Sequence, residues 1–315
     1  MKALAIHQYG PPGPRELGDV AIPHAGPGQI QVRIAAASIN PLDLRLPRGD
    51  FPHLPVTFPH VPGNDFAGTV TEIGDGVTAY GIGDEVFGHA VPHALRAMAG
   101  AERPSLTTGT LAEFAVFEAD TPFIAHRPAT LDVVQAAALP TAGITALALL
   151  ATARIQPHET VLVVGATGGV GTTVLPLLAK VAKRVVATAR PEDADLLRNS
   201  GAETIDYGDY PEDVDVALNL VLPSDELNEV AHSLKPGGRL YTITFPRPEK
   251  GFIDRDDITF ELVLDMAGDL AGMREVAESG LVATIGRRYR FEQAGQAIAD
   301  FANRHTTGKL VVLVA

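Results

Sequence analysis

Cysteine is absent from the sequence, and its absence limits the chemistry that the protein can carry out. A chain of 315 residues without cysteine has no disulfide, thiolate nucleophile, iron–sulfur cluster or cysteine-bound zinc. Basic residues are also scarce. Only 25 lysines and arginines stand against 38 aspartates and glutamates, and the net charge of −13 argues against a nucleic-acid partner.

Long hydrophobic runs are lacking as well. The longest apolar stretch, residues 136–153, is interrupted by Pro140, Gly143 and two threonines, whereas a bilayer span needs roughly 20 largely apolar residues. The first apolar run, residues 3–6, is too short for the core of a signal peptide. We therefore expect no membrane partner and a cytoplasmic location.

The composition is that of a globular protein of about two domains, with 46% apolar and 20% charged residues. The first 120 or so residues contain short strand-like segments between Gly-Asp turns, typical of a small β-barrel or sandwich. These segments lie at residues 29–34, 68–73 and 83–87. Beyond them, apolar runs alternate with helical stretches, which predicts a doubly wound parallel sheet. The predicted fold class is α/β, with a Rossmann dinucleotide-binding domain at residues 122–253 and a β-rich domain at residues 1–121 and 254–315.

A glycine-rich turn lies between a strand and a helix in the alternating region. Ala166, Gly168 and Gly171 occupy the positions of an A-x-G-x-x-G fingerprint, in the context that dinucleotide binding requires. Gly168 lets the backbone approach a pyrophosphate, Gly171 lets the helix pack on the strand, and the helix N-terminus attracts phosphate. A purely structural turn is the alternative. The predicted cofactor-binding residues here are Ala166, Thr167, Gly168, Gly169, Val170 and Gly171.

The end of the next strand indicates which dinucleotide is bound. An NAD site carries an acid about 20 residues after the loop, where it binds the ribose hydroxyls. Here Arg190 stands at the strand end, and a guanidinium can hold a 2′-phosphate through two hydrogen bonds. We therefore predict NADP(H) as the cofactor, with an exposed arginine at a helix start as the alternative. Glu192 and Asp193 fit a helix N-terminus.

The order of these parts resembles the medium-chain dehydrogenase/reductase superfamily, and more closely its zinc-independent quinone oxidoreductase (zeta-crystallin-like) branch. The resemblance covers nearly the whole chain, and its short segments are specific only together. Besides the glycine-rich turn, they are residues 36–43 (AASINPLD), 61–70 (VPGNDFAGTV), 73–87, 139–147 (LPTAGITAL), 201–207 (GAETIDY), 234–240 (LKPGGRL) and 308–313 (GKLVVL). The resemblance implies a GroES-like catalytic domain beside the Rossmann domain.

Zinc-dependent relatives in that superfamily place ligands where this chain has other residues. Their cysteine falls on Asn40, and their His-Glu pair falls on Asn64 and Asp65. Asparagine is a poor zinc ligand, and the segment of the four-cysteine lobe contains no cysteine. His89 and His93 have a metal-like spacing, but we interpret them as loop histidines. No metal site is predicted.

The resemblance also implies candidate catalytic residues, namely Asn40, Asp43 and Thr141. Asn40 would hydrogen-bond cofactor ribose or a substrate carbonyl, and its alternative is a turn residue before Pro41. Asp43 would hold its loop together rather than transfer a proton. Thr141 would contact the nicotinamide, although helix capping explains it equally well.

Three further residues complete the predicted cofactor site. Tyr207 would lie near the adenosine phosphate, and the backbone at Phe245 would meet the carboxamide. Lys309 would face the cofactor or be a solvated charge at a strand end. The loop of residues 44–52 contains no tyrosine, so we expect no phenolic proton donor there.

The implied reaction is hydride transfer from NADPH to a small-molecule acceptor, a quinone or another electron-poor carbonyl or enone. The alternatives are an enoyl reductase acting on acyl chains and a weakly catalytic NADPH-binding structural or sensor protein. A strand at residues 239–244, which overlaps the uncharged segment 240–245, or one more strand near residues 251–253, is expected to form an edge of the Rossmann sheet. Because this edge commonly pairs across a two-fold axis in the superfamily, we predict a homodimer.

Overall fold

The structure is a computed structural model that describes residues 1–10, 16–51, 56, 58–90, 109–264 and 272–314. The chain divides into two compact units. We call Met1–Ile144 with Met266–Ala315 the β-rich unit, and Thr145–Asp265 the Rossmann unit.

The β-rich unit contains mainly short strands. They are β1 (Lys2–Ala3), β2 (Gly18–Asp19), β3 (Gln29–Ser38), β4 (Asp65–Ile73), β5 (Glu85–His89), β6 (Phe114–Glu118), β7 (Ile124–His126), β14 (Ile285–Arg290) and β15 (Lys309–Leu313). Its helices are α1 (Pro41–Arg48), α2 (Val133–Ala138), α7 (Met273–Glu278) and α8 (Ala294–Asn303), with a 3-10 turn at Phe291–Gln293. Helix α3 (Pro140–Ala153) begins in this unit and contains the unit boundary.

Within the described residues, seven strands of this unit form one sheet in the order β14-β15-β3-β4-β5-β7, with β6 also paired to β3. All pairs are antiparallel except β14 with β15. Apolar side chains such as Ile30, Phe66 and Phe117 fill its core, and the rings of Phe66 and Phe117 stack at 4.2 Å. The register places Asp65 opposite Ser38 on one side and His89 on the other. Three polar residues are thereby brought into one row across the sheet.

The Rossmann unit alternates strands and helices. Its strands are β8 (Thr160–Val164), β9 (Arg184–Thr188), β10 (Glu203–Ile205), β11 (Val214–Asn219), β12 (Leu234–Thr242) and β13 (Thr259–Leu262). Its helices are α4 (Gly169–Val181), α5 (Ala194–Asn199) and α6 (Asn228–His232), with 3-10 turns at Pro191–Asp193 and Ser224–Glu226. In the part of the chain described, the strands are all parallel in the order β10-β9-β8-β11-β12-β13, the order of dinucleotide-binding sheets.

The two units differ from the predicted domains at both joins. The Rossmann unit begins at residue 145 rather than 122, and ends at residue 265 rather than 253. Strand β7 pairs with β5, and α2 packs against β3 and β4, so both belong to the β-rich unit. Strand β13 pairs with β12, so it extends the Rossmann unit. Pairing across the sheet, which the local sequence does not reveal, decides both boundaries.

Strand β13 also corrects the expected sheet edge. The predicted edge strand at residues 239–244 is wrong because β12 lies between β11 and β13, and the further strand expected near residues 251–253 lies instead at Thr259–Leu262. Leu240 and Tyr241 are buried there, so their uncharged neighbourhood reflects an interior strand. Among the described strands the edge on this side is β13, where Glu261 is exposed.

The structure also changes one predicted loop and one predicted helix. The expected loop of residues 44–52 begins as helix α1, which has Pro41 in its first turn and ends before Gly49 at a φ of 82°. The amphipathic pattern of residues 262–279 predicts a helix over this range, but the structure reduces it to α7, since β13 extends to residue 262. Residues 265–271 of that prediction lie outside the described residues.

Candidate cofactor and active site

The glycine-rich turn joins β8 to α4, next to the point where the strand order reverses. Ligands of such sheets bind at this position. Gly165 has a φ of 87°, which side-chain-bearing residues rarely adopt, and its N–H donates to Thr188 Oγ1 at 2.9 Å. Gly168 is the N-cap of α4, so the unpaired N–H groups of the first helical turn lie directly after the turn.

Two glycines of this turn are required for different reasons. A Cβ on Gly171 would lie 2.4 Å from Ala166 O, so only glycine permits this close contact between helix and loop. Within the described residues, a Cβ on Gly168 would meet only Gly165 O at 3.6 Å, so the space before the helix terminus is open. A cofactor phosphate fits this open cradle.

Arg190 lies two residues after the end of β9 and lines a cleft of about 330 Å³. Its side chain is exposed. Asp206 and Asp209, which sequence reasoning missed, line the same cleft. Carboxylates can accept hydrogen bonds from ribose hydroxyls, whereas a guanidinium can donate to phosphate. Tyr207 follows Asp206 and is 45% exposed.

A polar cluster braces the loops after β11 and β12. Asn219 ends β11, and its Nδ2 donates to Thr242 Oγ1 at 2.9 Å and to Thr244 Oγ1 at 3.1 Å. Ser224 Oγ donates to Thr244 O at 2.8 Å. Half-buried Phe245 follows this braced segment. Its backbone contact with the cofactor carboxamide stays a prediction.

Asp65 is the centre of a buried network in the β-rich unit. Five donors reach its carboxylate. Oδ1 accepts from Thr141 N at 3.1 Å, Thr141 Oγ1 at 2.6 Å and His89 Nδ1 at 3.1 Å. Oδ2 accepts from Ser38 Oγ at 3.1 Å and Lys309 Nζ at 3.2 Å. Because Asp65 has no exposed surface, these donors take the place of water around its charge.

Lys309 brings a buried positive charge to this network. Its Nζ also donates to Asn40 Oδ1 at 2.5 Å and to Ile39 O at 3.2 Å, and the residue is 5% exposed. The alternative of a solvated strand-end charge is therefore wrong. Each of the three N–H groups of the ammonium has an acceptor, so a bond to the cofactor would have to replace one of them. The cofactor role of Lys309 stays a prediction.

Asp43 ties two loop segments together, as interpreted from the sequence. Its Oδ2 accepts the Asn40 N–H at 2.8 Å and its Oδ1 accepts the Gly63 N–H at 2.7 Å. Burial raises the pKa of Asp43 to about 7, although the two backbone donors act in the opposite direction. Burial also acts to raise the pKa of Asp65, but the Lys309 ammonium and the contacts with His89 outweigh it and hold that pKa well below its usual range.

His89 corrects the interpretation of the histidines as loop residues. Strand β5 continues through His89, two residues beyond the predicted end, and the residue is 4% exposed. In the sequence only Gly88 separates His89 from the predicted strand of residues 83–87. This closeness is the signal from which the strand could have been extended to His89. His93 lies outside the described residues. Thr141, expected before a helix, is the second residue of α3.

The donor set of the network does not fit a zinc ion. Asn40 and Asp65, at two of the ligand positions of zinc-dependent relatives, both accept hydrogen bonds from the Lys309 ammonium, which would repel a metal cation. Across the described residues, no group of three or more His, Cys, Asp or Glu side chains could hold a metal. No described helix combines the length and the apolar character needed to cross a bilayer.

Comparisons with known proteins match this architecture. The alcohol dehydrogenase GroES-like domain matches residues 26–127, and the zinc-binding dehydrogenase family matches residues 193–312. The chain is 31% identical to a chloroplastic NADPH-dependent alkenal/one oxidoreductase of Arabidopsis thaliana, over 99% of this chain and 79% of that protein. It is 29% identical to a quinone oxidoreductase of Mus musculus, over 100% of this chain and 98% of the other. The quinone oxidoreductase structure from Coxiella burnetii has a TM-score of 0.84 and 27% identity, covering 100% and 99% of the two chains.

Asp43 is expected to make stability fall as the pH rises. Its pKa goes from 3.8 in the unfolded chain to about 7 in the folded one, so the folded state holds the extra proton between these values. The loss across this window is on the order of 4 kcal/mol. Asp43→Asn has no carboxyl proton and should lack this slope. Urea unfolding of both proteins between pH 4 and pH 8 measures it, and parallel stability curves would contradict the assignment.

Proposed function

We propose that this chain, which belongs to the quinone oxidoreductase branch of the medium-chain dehydrogenase/reductase family, transfers a hydride from NADPH. The acceptor would be a quinone or an enone. The family resemblance and the α/β fold class expected from the sequence are confirmed by these comparisons and by the two sheets. The chain is an oxidoreductase.

The open cradle at Gly168 is the observation that carries this proposal. The loop of Ala166, Thr167, Gly168, Gly169, Val170 and Gly171 would hold the cofactor pyrophosphate against the first turn of α4. When bound, the reduced nicotinamide supplies the hydride. Arg190 would hold the 2′-phosphate, and Tyr207 and the backbone at Phe245 would contact the rest of the cofactor.

The β-rich unit would supply the groups around the acceptor. Thr141 is partly exposed, whereas Asn40 and Asp65 are buried, so Thr141 is the outward-facing member of these three. Asn40 has its Oδ1 held by Lys309, and its Nδ2 donates to Ser38 O at 3.4 Å, which leaves one amide N–H as the donor for a carbonyl or a ribose. Asp43 keeps Asn40 in place through the Asn40 backbone N–H.

We propose further that the reaction needs no metal, because an ammonium occupies the place where a cation would be held. The net charge of −13 argues against a nucleic-acid partner. A chain without cysteine needs no oxidising compartment for disulfides, and we propose a cytoplasmic location.

NADPH oxidation in the presence of an acceptor panel tests this function. With quinones and enones we expect acceptor-dependent oxidation of NADPH, at a rate unchanged by a metal chelator. Loss of activity in the chelator would overturn the metal-free proposal. Preference for acyl-chain substrates would favour an enoyl reductase. Tight NADPH binding without turnover of any acceptor would favour a sensor protein.

The role of Arg190 is tested by comparing the two dinucleotides. Arg190→Ala should weaken NADPH binding by ~1.5–3 kcal/mol and leave NADH nearly unchanged, since the lost hydrogen bonds are to the 2′-phosphate. Fluorescence titration gives both Kd values. Arg184→Ala is the matched control, because it removes another exposed arginine, paired with Glu203 at the opposite end of β9. Unchanged NADPH affinity in Arg190→Ala would refute the assignment to NADP(H).

We propose that two chains form a homodimer by pairing their β13 edges. The strand has unpaired backbone groups on its outer side within the described structure, and pairing across a two-fold axis would satisfy them. Light scattering at micromolar concentration should give twice the chain mass of 33.1 kDa. A measured mass equal to that of one chain would contradict the dimer.

A further inference from the structure

Thr141, Asp65 and His89 form a closed triangle of polar contacts. Thr141 Oγ1 lies 2.6 Å from Asp65 Oδ1 and 3.0 Å from His89 Nδ1, and the latter two atoms are 3.1 Å apart. Asp65 and His89 are buried, whereas Thr141 is partly exposed. The triangle therefore has one member that a bound molecule can reach.

The hydrogen positions in this triangle follow from the charge of Asp65. An ionised carboxylate can only accept, so the Thr141 hydroxyl and His89 Nδ1 both carry hydrogens. Both hydrogens face Asp65 Oδ1 in the structure, and Thr141 Oγ1 can accept the Nδ1 hydrogen of His89 once its own hydrogen has turned from Asp65 to a neighbouring anion. This is the geometry of a two-step proton relay from imidazole through hydroxyl.

The charges around His89 favour its protonated form. Asp65 Oδ1 faces Nδ1 directly, and the Lys309 ammonium faces the opposite oxygen of the same carboxylate. Asp43, a second carboxyl that interacts with Asp65 and Lys309, adds negative charge when it ionises. Above about pH 7, where Asp43 is ionised, two carboxylates and one ammonium leave the buried cluster neutral when His89 holds a second proton.

We propose that His89 supplies, through the Thr141 hydroxyl, the proton that completes reduction of an enone, an inference that depends on the proposed function. After hydride arrives at the β-carbon, the enolate takes the Thr141 hydroxyl proton at its α-carbon. Thr141 Oγ1 regains a proton from His89 Nδ1, and the imidazolium becomes neutral imidazole. A solvent proton then restores the imidazolium. Reduced cofactor, enone and one proton thus become oxidised cofactor and saturated carbonyl.

The relay distinguishes enones from quinones. A reduced quinone takes its protons on oxygen, which solvent can supply, whereas an enolate must be protonated on carbon, where a positioned acid matters more. His89→Asn retains a donor near the Nδ1 position but has no proton to release. We expect it to lower enone turnover about ten- to a hundredfold and quinone turnover less than about threefold.

The face of protonation provides a readout that a structural role would not change. With an enone substituted at its α-carbon, the wild-type protein in D2O should place deuterium on one face. His89→Asn and Thr141→Val should give both faces, and Thr141→Ser should restore one. His24→Asn is the matched control, since its Nδ1 also faces a carboxylate, Glu72, at 2.9 Å, but on the surface.

A readout independent of turnover is the ¹⁵N spectrum of the histidine rings in the protein without cofactor. The wild-type signals that are missing from the spectrum of His89→Asn belong to the His89 ring. At neutral pH they should show a hydrogen on each of its two nitrogens. A neutral ring, or one-sided deuteration retained in His89→Asn and Thr141→Val, would overturn the relay while leaving the reductase function standing. If the wild-type protein reduces neither enones nor quinones, the proposed function fails and the relay fails with it.

Discussion

The buried charge of Asp65 is the constraint on which the β-rich unit depends. A carboxylate without water costs several kcal/mol unless donors surround it. Strands β3, β5 and β15 and helix α3 each contribute a donor, so four elements must meet at the start of β4. Because a one-residue slip moves every side chain of a strand to the other face, this convergence also fixes the sheet register. The same contacts that stabilise the unit therefore position Thr141 and His89.

The Rossmann unit shapes its candidate site with backbone groups rather than with buried charges. Its cradle is made of backbone N–H groups and of glycines that keep side chains away, and its nearby Asn219 cluster is uncharged. The charged residues of the cofactor region, Arg190 and Asp206, lie in a cleft at the strand ends. In the proposed site, the cradle would therefore hold the pyrophosphate and Arg190 would select the 2′-phosphate, so that a change at Arg190 would leave the cradle intact.

Local patterns were enough to predict the Rossmann sheet and its glycine-rich turn. The apolar strand β8, the glycines and the helix that follows are adjacent in sequence, so the signal is local. Asn40, Asp43 and Thr141 were found only through family resemblance, and the structure brings Asn40 and Thr141 together through Asp65 and Lys309. His89 and Asp206 were missed because long-range strand pairing and cleft lining determine their surroundings. The edge strand β13 was missed for the same reason, since 16 residues separate it from β12.

Lys309 explains how such a network differs from a metal centre. A metal with an open coordination position can bind a substrate oxygen directly, but the three N–H groups of this ammonium are all engaged by Ile39, Asn40 and Asp65. Its charge consequently acts on a bound molecule through the groups that it orients. Asn40 has its amide oxygen held inward, and Asp65 remains ionised and keeps the Thr141 hydroxyl in place. Such an arrangement suits an acceptor that needs a hydrogen bond and a proton, rather than an alcohol that must be ionised on a metal.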